Sequence, residues 1–221
     1  MKYITGFFVL IWRIWMIFLA AIYVLTIGVF IVLPLASFEK TFPYIYPLIR
    51  YWGKFVLYGT GFRIDYKKLV PLDPKENYVF IANHTSIMDI MLMLTILKHH
   101  PIVFVGKAEL LKIPIFGRIF ERICIPVDRK SARSKALVYP EAKKKLDKNL
   151  SIFIFPEGGV TNDKEFKIYL DPFKDGAFNI AIETQTPLAV LAIHGVNKMF
   201  PFNWFRGCLL YTSPSPRDRQ K

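Results

Sequence analysis

Residues 14–33 read IWMIFLAAIYVLTIGVFIVL, and no charged residue occurs between 14 and 38. No other feature limits the fold as strongly. At a rise of about 1.5 Å per residue, about twenty apolar residues cross a hydrocarbon layer of about 30 Å. The run exceeds the roughly 7–15 apolar residues of a secretory signal, and no small-residue cleavage site follows it. A retained membrane helix ending at Pro34 is expected. Lys2 and Arg13 precede the run, and the chain after it is far more basic. The positive-inside rule therefore places the remainder at the cytoplasmic face of the membrane. A single crossing and a hairpin that enters and returns fit this pattern equally.

The next stretch, PYIYPLIRYWGKFVLYGTGF (43–62), carries Arg50 and Lys54 four residues apart, on one helical face. Its aromatic residues fit a helix lying among lipid headgroups. The alternative is an ordinary amphipathic helix packed on the rest of the protein. Ser37-Phe38-Glu39-Lys40 reads as the turn between the two helices, so residues 1–60 form a membrane-anchoring helical segment. The whole chain of 221 residues is 53% hydrophobic and 16% aromatic with a formal net charge of +13. A partner carrying negative charge follows from that balance. Between residues 98 and 150 lie 13 Lys and Arg against 5 Asp and Glu, a surface suited to membrane lipids or the acidic part of a co-substrate. Nucleic acid is not the expected partner, because basic residues and aromatics are not interleaved in any recognisable module. Cys124 and Cys208 are too few for a disulfide framework, which favours a reducing compartment.

Beyond residue 60 the pattern changes. Short runs rich in β-branched and aromatic residues, FRIDY (62–66), YVFIA (78–82), IVFVG (102–106), CIPV (124–127), SIFIF (151–155) and LAVLAI (188–193), alternate with helical stretches. The helices are expected over 87–97, 116–123, 131–147 with an interruption at Pro140, and 173–183. This alternation predicts an α/β domain over 61–205 with a mixed, largely parallel sheet flanked by helices. Residues 206–221, ending YTSPSPRDRQK, read as a disordered or non-native tail, and no further apolar run closes the fold.

Polar residues gather where the expected strands end. Asn83 and His84 follow YVFIA, and Asp89 stands five positions after the histidine. A His–Asp pair is one reading. Ser86 and Asp89 also form an S-x-x-D capping box ahead of an apolar helix, which explains Asp89 without catalysis. Lys107 follows IVFVG, Arg129 follows CIPV, and Glu157-Gly158-Gly159 follow SIFIF. Each alone is a solvated charge or a turn. If their strands are neighbours, the four loops make an anion-binding cleft containing a base. No Walker loop and no H-E-x-x-H metal motif occurs, so no metal site and no cofactor is expected.

Taken in order, these stretches resemble the glycerolipid acyltransferases typified by 1-acylglycerol-3-phosphate acyltransferases. The family pattern N-H-x4-D appears as Asn83-His84 with Asp89. G-K-x-E-L with P-x-x-G appears as Gly106–Leu110 with Pro114 and Gly117, the D-R element as Asp128-Arg129, and F-P-E-G as Phe155–Gly158. Phe173–Ala177 and Pro187–Val190 resemble two further elements, so the likeness covers roughly residues 78–195. It implies a membrane-bound enzyme that moves an acyl group from acyl-CoA or an acyl carrier protein to lysophosphatidic acid. His84 would be the general base and Asp89 its orienting partner. Asn83, Lys107, Arg129, Glu157, Gly158 and Gly159 would meet the acceptor, with Lys107 and Arg129 on its phosphate. One departure stands out. Where the family commonly has E-G-T-R, this chain has Glu157-Gly158-Gly159-Val160, and valine cannot grip phosphate as arginine does. Lys107, Arg129 or Lys174 would then replace it, or the acceptor is another lysophospholipid.

Overall fold

The computed structural model describes residues 2–159, 170–201 and 207. Val160, Cys208 and almost all of the expected 206–221 tail lie outside them. The apolar N-terminal run forms one long helical rod: α1 (Lys2–Tyr23), a π-helical stretch Val24–Val32 and α2 (Leu33–Leu35). By length and composition, residues Gly6–Leu35 suffice to cross a membrane. A turn and a short 3-10 segment, Glu39–Thr41, reverse the chain into α3 (Phe42–Gly59).

The two helices form an antiparallel hairpin held by side chain to backbone bonds along its length. Trp12 Nε1 donates to Thr60 O, Trp15 Nε1 to Gly59 O, Trp52 Nε1 to Ala20 O and Tyr23 Oη to Leu48 O. Val9, Trp12, Met16, Leu19 and Tyr23 repeat every three or four residues and are buried. The opposite stripe, with Phe7, Phe8, Ile14, Phe18, Leu25 and Phe30, is exposed. The rod is therefore half packed on its own protein. Arg50 departs from expectation: it turns inward and donates to Leu94 O and Thr95 O near the end of α4 (Met88–Ile96). That satisfies helix-end carbonyls and removes Arg50 from the lipid-facing surface.

Five strands form one sheet: β1 (Val79–Ala82), β2 (Ile102–Lys107), β3 (Ile125–Val127), β4 (Ser151–Ile154) and β5 (Leu188–Leu191). Every pairing is parallel and the order is β3-β2-β4-β1-β5. Helices α5 (Phe116–Ile123), α6 (Ala132–Leu146), α7 (Gly176–Thr184) and α8 (Val196–Met199), with a 3-10 segment Ala108–Lys112 after β2, complete the described elements. The interior strand β1 is buried throughout, as expected of a parallel strand covered on both faces. Trp12, Met16 and Leu19 share one core with the sheet residues Phe80, Ile152 and Phe153.

Two expectations are corrected. FRIDY forms no strand. Gly61, at φ +84°, closes α3 with a bond from Phe62 N to Leu57 O, and Phe62 packs against Trp12. That helix-ending motif uses the apolar start of the segment, and no strand edge is left for the rest. Helix α6 runs unbroken through Pro140, at the cost of the one hydrogen bond that proline cannot donate.

Candidate active site

Parallel strands place all their C-terminal ends at one edge of the sheet. Read along that edge, β3 leads to Arg129, β2 ends at Lys107, β4 leads to Glu157, and β1 leads to His84. The strands that carry the four sequence candidates are successive neighbours. A cleft at this edge is where open α/β sheets bind ligands.

His84 Nδ1 lies 3.0 Å from Asp89 Oδ2. The same oxygen accepts the backbone N–H groups of Thr85 (2.6 Å) and Ser86 (2.8 Å). An oxygen holding two N–H bonds faces the ring as an acceptor, so in the neutral ring Nδ1 carries the proton and Nε2 the lone pair. Asp89 is fully buried, and its other oxygen finds no hydrogen-bond partner among the described residues. The side chain of His84 is 14% exposed, and its ring stacks on Phe155 at 4.0 Å between centroids. The cap and the pair therefore coexist. Asp89 supplies its half of the capping box by taking Ser86 N, while Ser86 Oγ accepts from Met88 N instead of Asp89 N.

Two of the residues expected to meet the acceptor are bound to backbone groups of the protein itself. Asn83 donates through Nδ2 to Ile193 O and accepts at Oδ1 from Ile193 N. Its amide ties the end of β1 to the segment after β5, a bracing role. Glu157 is buried, with Oε1 on His84 N at 2.6 Å and Oε2 on Asp171 N at 3.0 Å. It holds the backbone that carries His84, and its carboxylate is turned away from solvent. Neither role has a signature in sequence, because the partners are backbone groups far along the chain. Phe155 as the floor under the imidazole was missed for a similar reason, since it reads as the last residue of an apolar strand.

Gly158 (φ +85°) and Gly159 (φ +148°) turn the chain in conformations that side chains rarely adopt. A Cβ on Gly159 would stand 3.1 Å from Arg129 Nη1 and 3.7 Å from Lys107 Nζ. A Cβ on Gly158 would stand 2.5 Å from Lys174 Nζ. Three cations therefore surround a bare turn beside the loop of His84. Burial lowers the pKa of Arg129, and the carboxylate of Glu109 opposes that fall. A guanidinium stays charged under such a shift. One partly buried guanidinium and two exposed ammonium groups around a glycine turn suit a phosphate.

Residues 63–194 match the family model described as Acyltransferase. The chain belongs to the acyltransferase family. A chloroplastic 1-acyl-sn-glycerol-3-phosphate acyltransferase of Brassica napus is 28% identical over 156 residues, covering 70% of this acyltransferase and 43% of the relative. The 1-acyl-sn-glycerol-3-phosphate acyltransferase of Escherichia coli K12 is 27% identical over 158 residues, covering 71% and 62%. The chain thus spans about two fifths of the plant relative and about three fifths of the bacterial one. The crystal structure of the 1-acyl-sn-glycerophosphate acyltransferase PlsC of Thermotoga maritima superposes with a TM-score of 0.69 at 26% identity, covering 92% of this acyltransferase and 80% of that chain.

Proposed function

We propose that this acyltransferase moves a fatty acyl group from acyl-CoA or an acyl carrier protein thioester to the sn-2 hydroxyl of lysophosphatidic acid, giving phosphatidic acid. The observation that carries the reading is the His84–Asp89 contact next to the cation-ringed glycine turn. The acceptor hydroxyl attacks the thioester carbonyl while Nε2 of His84 takes its proton. Asp89 holds the ring's tautomer and steadies the imidazolium. The tetrahedral intermediate collapses, the C–S bond breaks, and the leaving thiolate takes the proton back from His84. The acceptor hydroxyl stands where a serine protease has its own serine, so no acyl-enzyme forms. Lys107 and Arg129, with Lys174, hold the acceptor's phosphate.

Membrane attachment follows from the hairpin. Its outer stripe of exposed Phe and Ile residues, with Tyr51 and Tyr58 of α3, rests in the cytoplasmic membrane face, and its inner stripe packs on the sheet domain. This favours a hairpin over a lone crossing, because the inner face is already covered by protein.

Val160 motivates a second reading in which another lysophospholipid is the acceptor. Both are tested by assaying the purified protein against a panel of lysolipids with each thioester. Lysophosphatidic acid is expected to give the highest kcat/KM, and parity across headgroups would defeat the first reading. In the same assay Val160→Arg is expected to lower KM for lysophosphatidic acid about tenfold, the value of one added charged hydrogen bond. An unchanged KM would remove the argument from the missing arginine.

The glycine turn carries its own prediction. Gly159→Ala forces a side chain into a backbone region that costs about 1–3 kcal/mol and pushes it against Arg129. KM for lysophosphatidic acid is expected to rise about tenfold or more, 1.4 kcal/mol being a tenfold change, while KM for a phosphate-free monoacylglycerol stays the same. Equal rises for both acceptors would show that the turn does not serve the phosphate.

A further inference from the structure

Arg13 is the only charged residue between Gly6 and Phe38, and it is 3% exposed. A guanidinium at that depth is costly unless its donors are satisfied in good geometry. Arg13 Nη2 donates to Pro201 O at 2.6 Å, and its guanidinium carbon lies 4.3 Å from the ring centroid of Phe200. The residue thus grips two consecutive residues after α8 by a hydrogen bond and a cation–π contact.

Those two residues lead to the active loop. The carbonyl of Phe200 accepts the hydroxyl proton of Ser86 at 2.6 Å. Ser86 is fully buried, its Oγ accepts Met88 N, and its backbone N–H holds Asp89 Oδ2. Asp89 Oδ2 in turn holds His84 Nδ1. An unbroken line of contacts therefore runs from the apolar helix α1 to the imidazole, with only Phe200 and Pro201 between Arg13 and Ser86. Glu157 holds the same loop at a separate point, through His84 N.

We propose that Arg13 is a positioning residue for the His84–Asp89 pair, joining the membrane-facing helix to the catalytic loop through Phe200 and Ser86. The proposal rests on the reading of His84 as the base. Arginine is needed because one flat group must both cap the carbonyl of Pro201 and cover the ring of Phe200. Lysine is a point charge on a flexible stem and does the first without the second. A misplacement of about 1 Å at a catalytic pair costs about 10²-fold in rate, and such a loss falls on kcat.

The test is steady-state kinetics of Arg13→Met, Arg13→Lys, Ser86→Ala and the Arg13→Met/Ser86→Ala double variant, in detergent, with thermal melting of each. Arg13→Met is expected to lose about 10²-fold in kcat with KM held within about twofold, and Arg13→Lys to recover part of it. Ser86→Ala reads the same line from its other end and serves if Arg13→Met fails to fold. The double variant is expected to lose no more than the larger single loss, because both changes cut one line. Tyr23→Phe removes an α1–α3 hydrogen bond that is no part of this line and is expected to leave kcat unchanged. Additive losses, or an equal fall in Tyr23→Phe, would overturn the proposal. His84→Ala, assayed alongside, separates the two levels. Turnover retained in His84→Ala defeats the general-base reading, whereas its loss together with additive Arg13 and Ser86 effects defeats only the line.

Discussion

His84→Ala is expected to lower kcat for acyl transfer by about 10²–10⁴, the range assigned to a positioned general base, while the protein stays folded and still binds lysolipid. The fold survives because the bond to Glu157 comes from the backbone N–H of residue 84, which alanine keeps. What the variant loses structurally is the ring's stack on Phe155, worth about 0.5–1.5 kcal/mol, and its bond to Asp89 Oδ2, which keeps the N–H groups of Thr85 and Ser86. Initial rates with saturating thioester, together with a lysolipid binding isotherm, check this. Lost turnover with intact binding is the expected pair of results. Turnover at the wild-type rate would leave the chain as a family member that works by some other base. Unchanged low turnover in both proteins, with good binding, would make it a lysolipid-binding relative of weak activity.

The strand-end chemistry was legible because each central strand is a nearly continuous apolar run that stops abruptly at a polar residue. YVFIA hands over to Asn83 and His84, and SIFIF to Glu157, and both boundaries agree with the structure within a residue. The sheet order was not legible. β4 inserts between β1 and β2 through pairings such as Phe80 with Phe153 and Phe104 with Phe153, which are distant in sequence. That insertion brings the glycine turn between Lys107 and His84. The charged residues Arg13 and Arg50 were read as surface or membrane-flanking groups because charge usually means exposure. Both are inward instead, and their partners are backbone carbonyls of Pro201, Leu94 and Thr95, which no side-chain pattern reveals. The partners of Asn83 and Glu157 were illegible for the same reason. Their motif positions are informative, but their bonds run to the backbones of Ile193, His84 and Asp171.

Asp89→Asn separates the two duties of the aspartate. Three donors converge on Oδ2: Thr85 N, Ser86 N and His84 Nδ1. An asparagine fits only with its carbonyl oxygen there, since the opposite flip would point an NH2 at all three. Its NH2 then occupies the place of Oδ1, which is buried and has no hydrogen-bond partner among the described residues. A buried unpaired donor costs about 1–3 kcal/mol, so a lowered melting temperature is expected without loss of the fold. The loop geometry persists, yet the negative charge that balances an imidazolium is gone. In the serine protease triad the same change costs about 10⁴ in kcat, and a loss of about 10³–10⁴ with little change in KM is expected on that analogy. Asp89→Ala should be worse in a different way, because it also releases Thr85 and Ser86 and weakens the start of α4. Circular dichroism beside the kinetics distinguishes the two variants. If the asparagine variant keeps wild-type kcat with the loop intact, Asp89 is only a helix cap, and the contact with His84 is an accident of two groups sharing one turn.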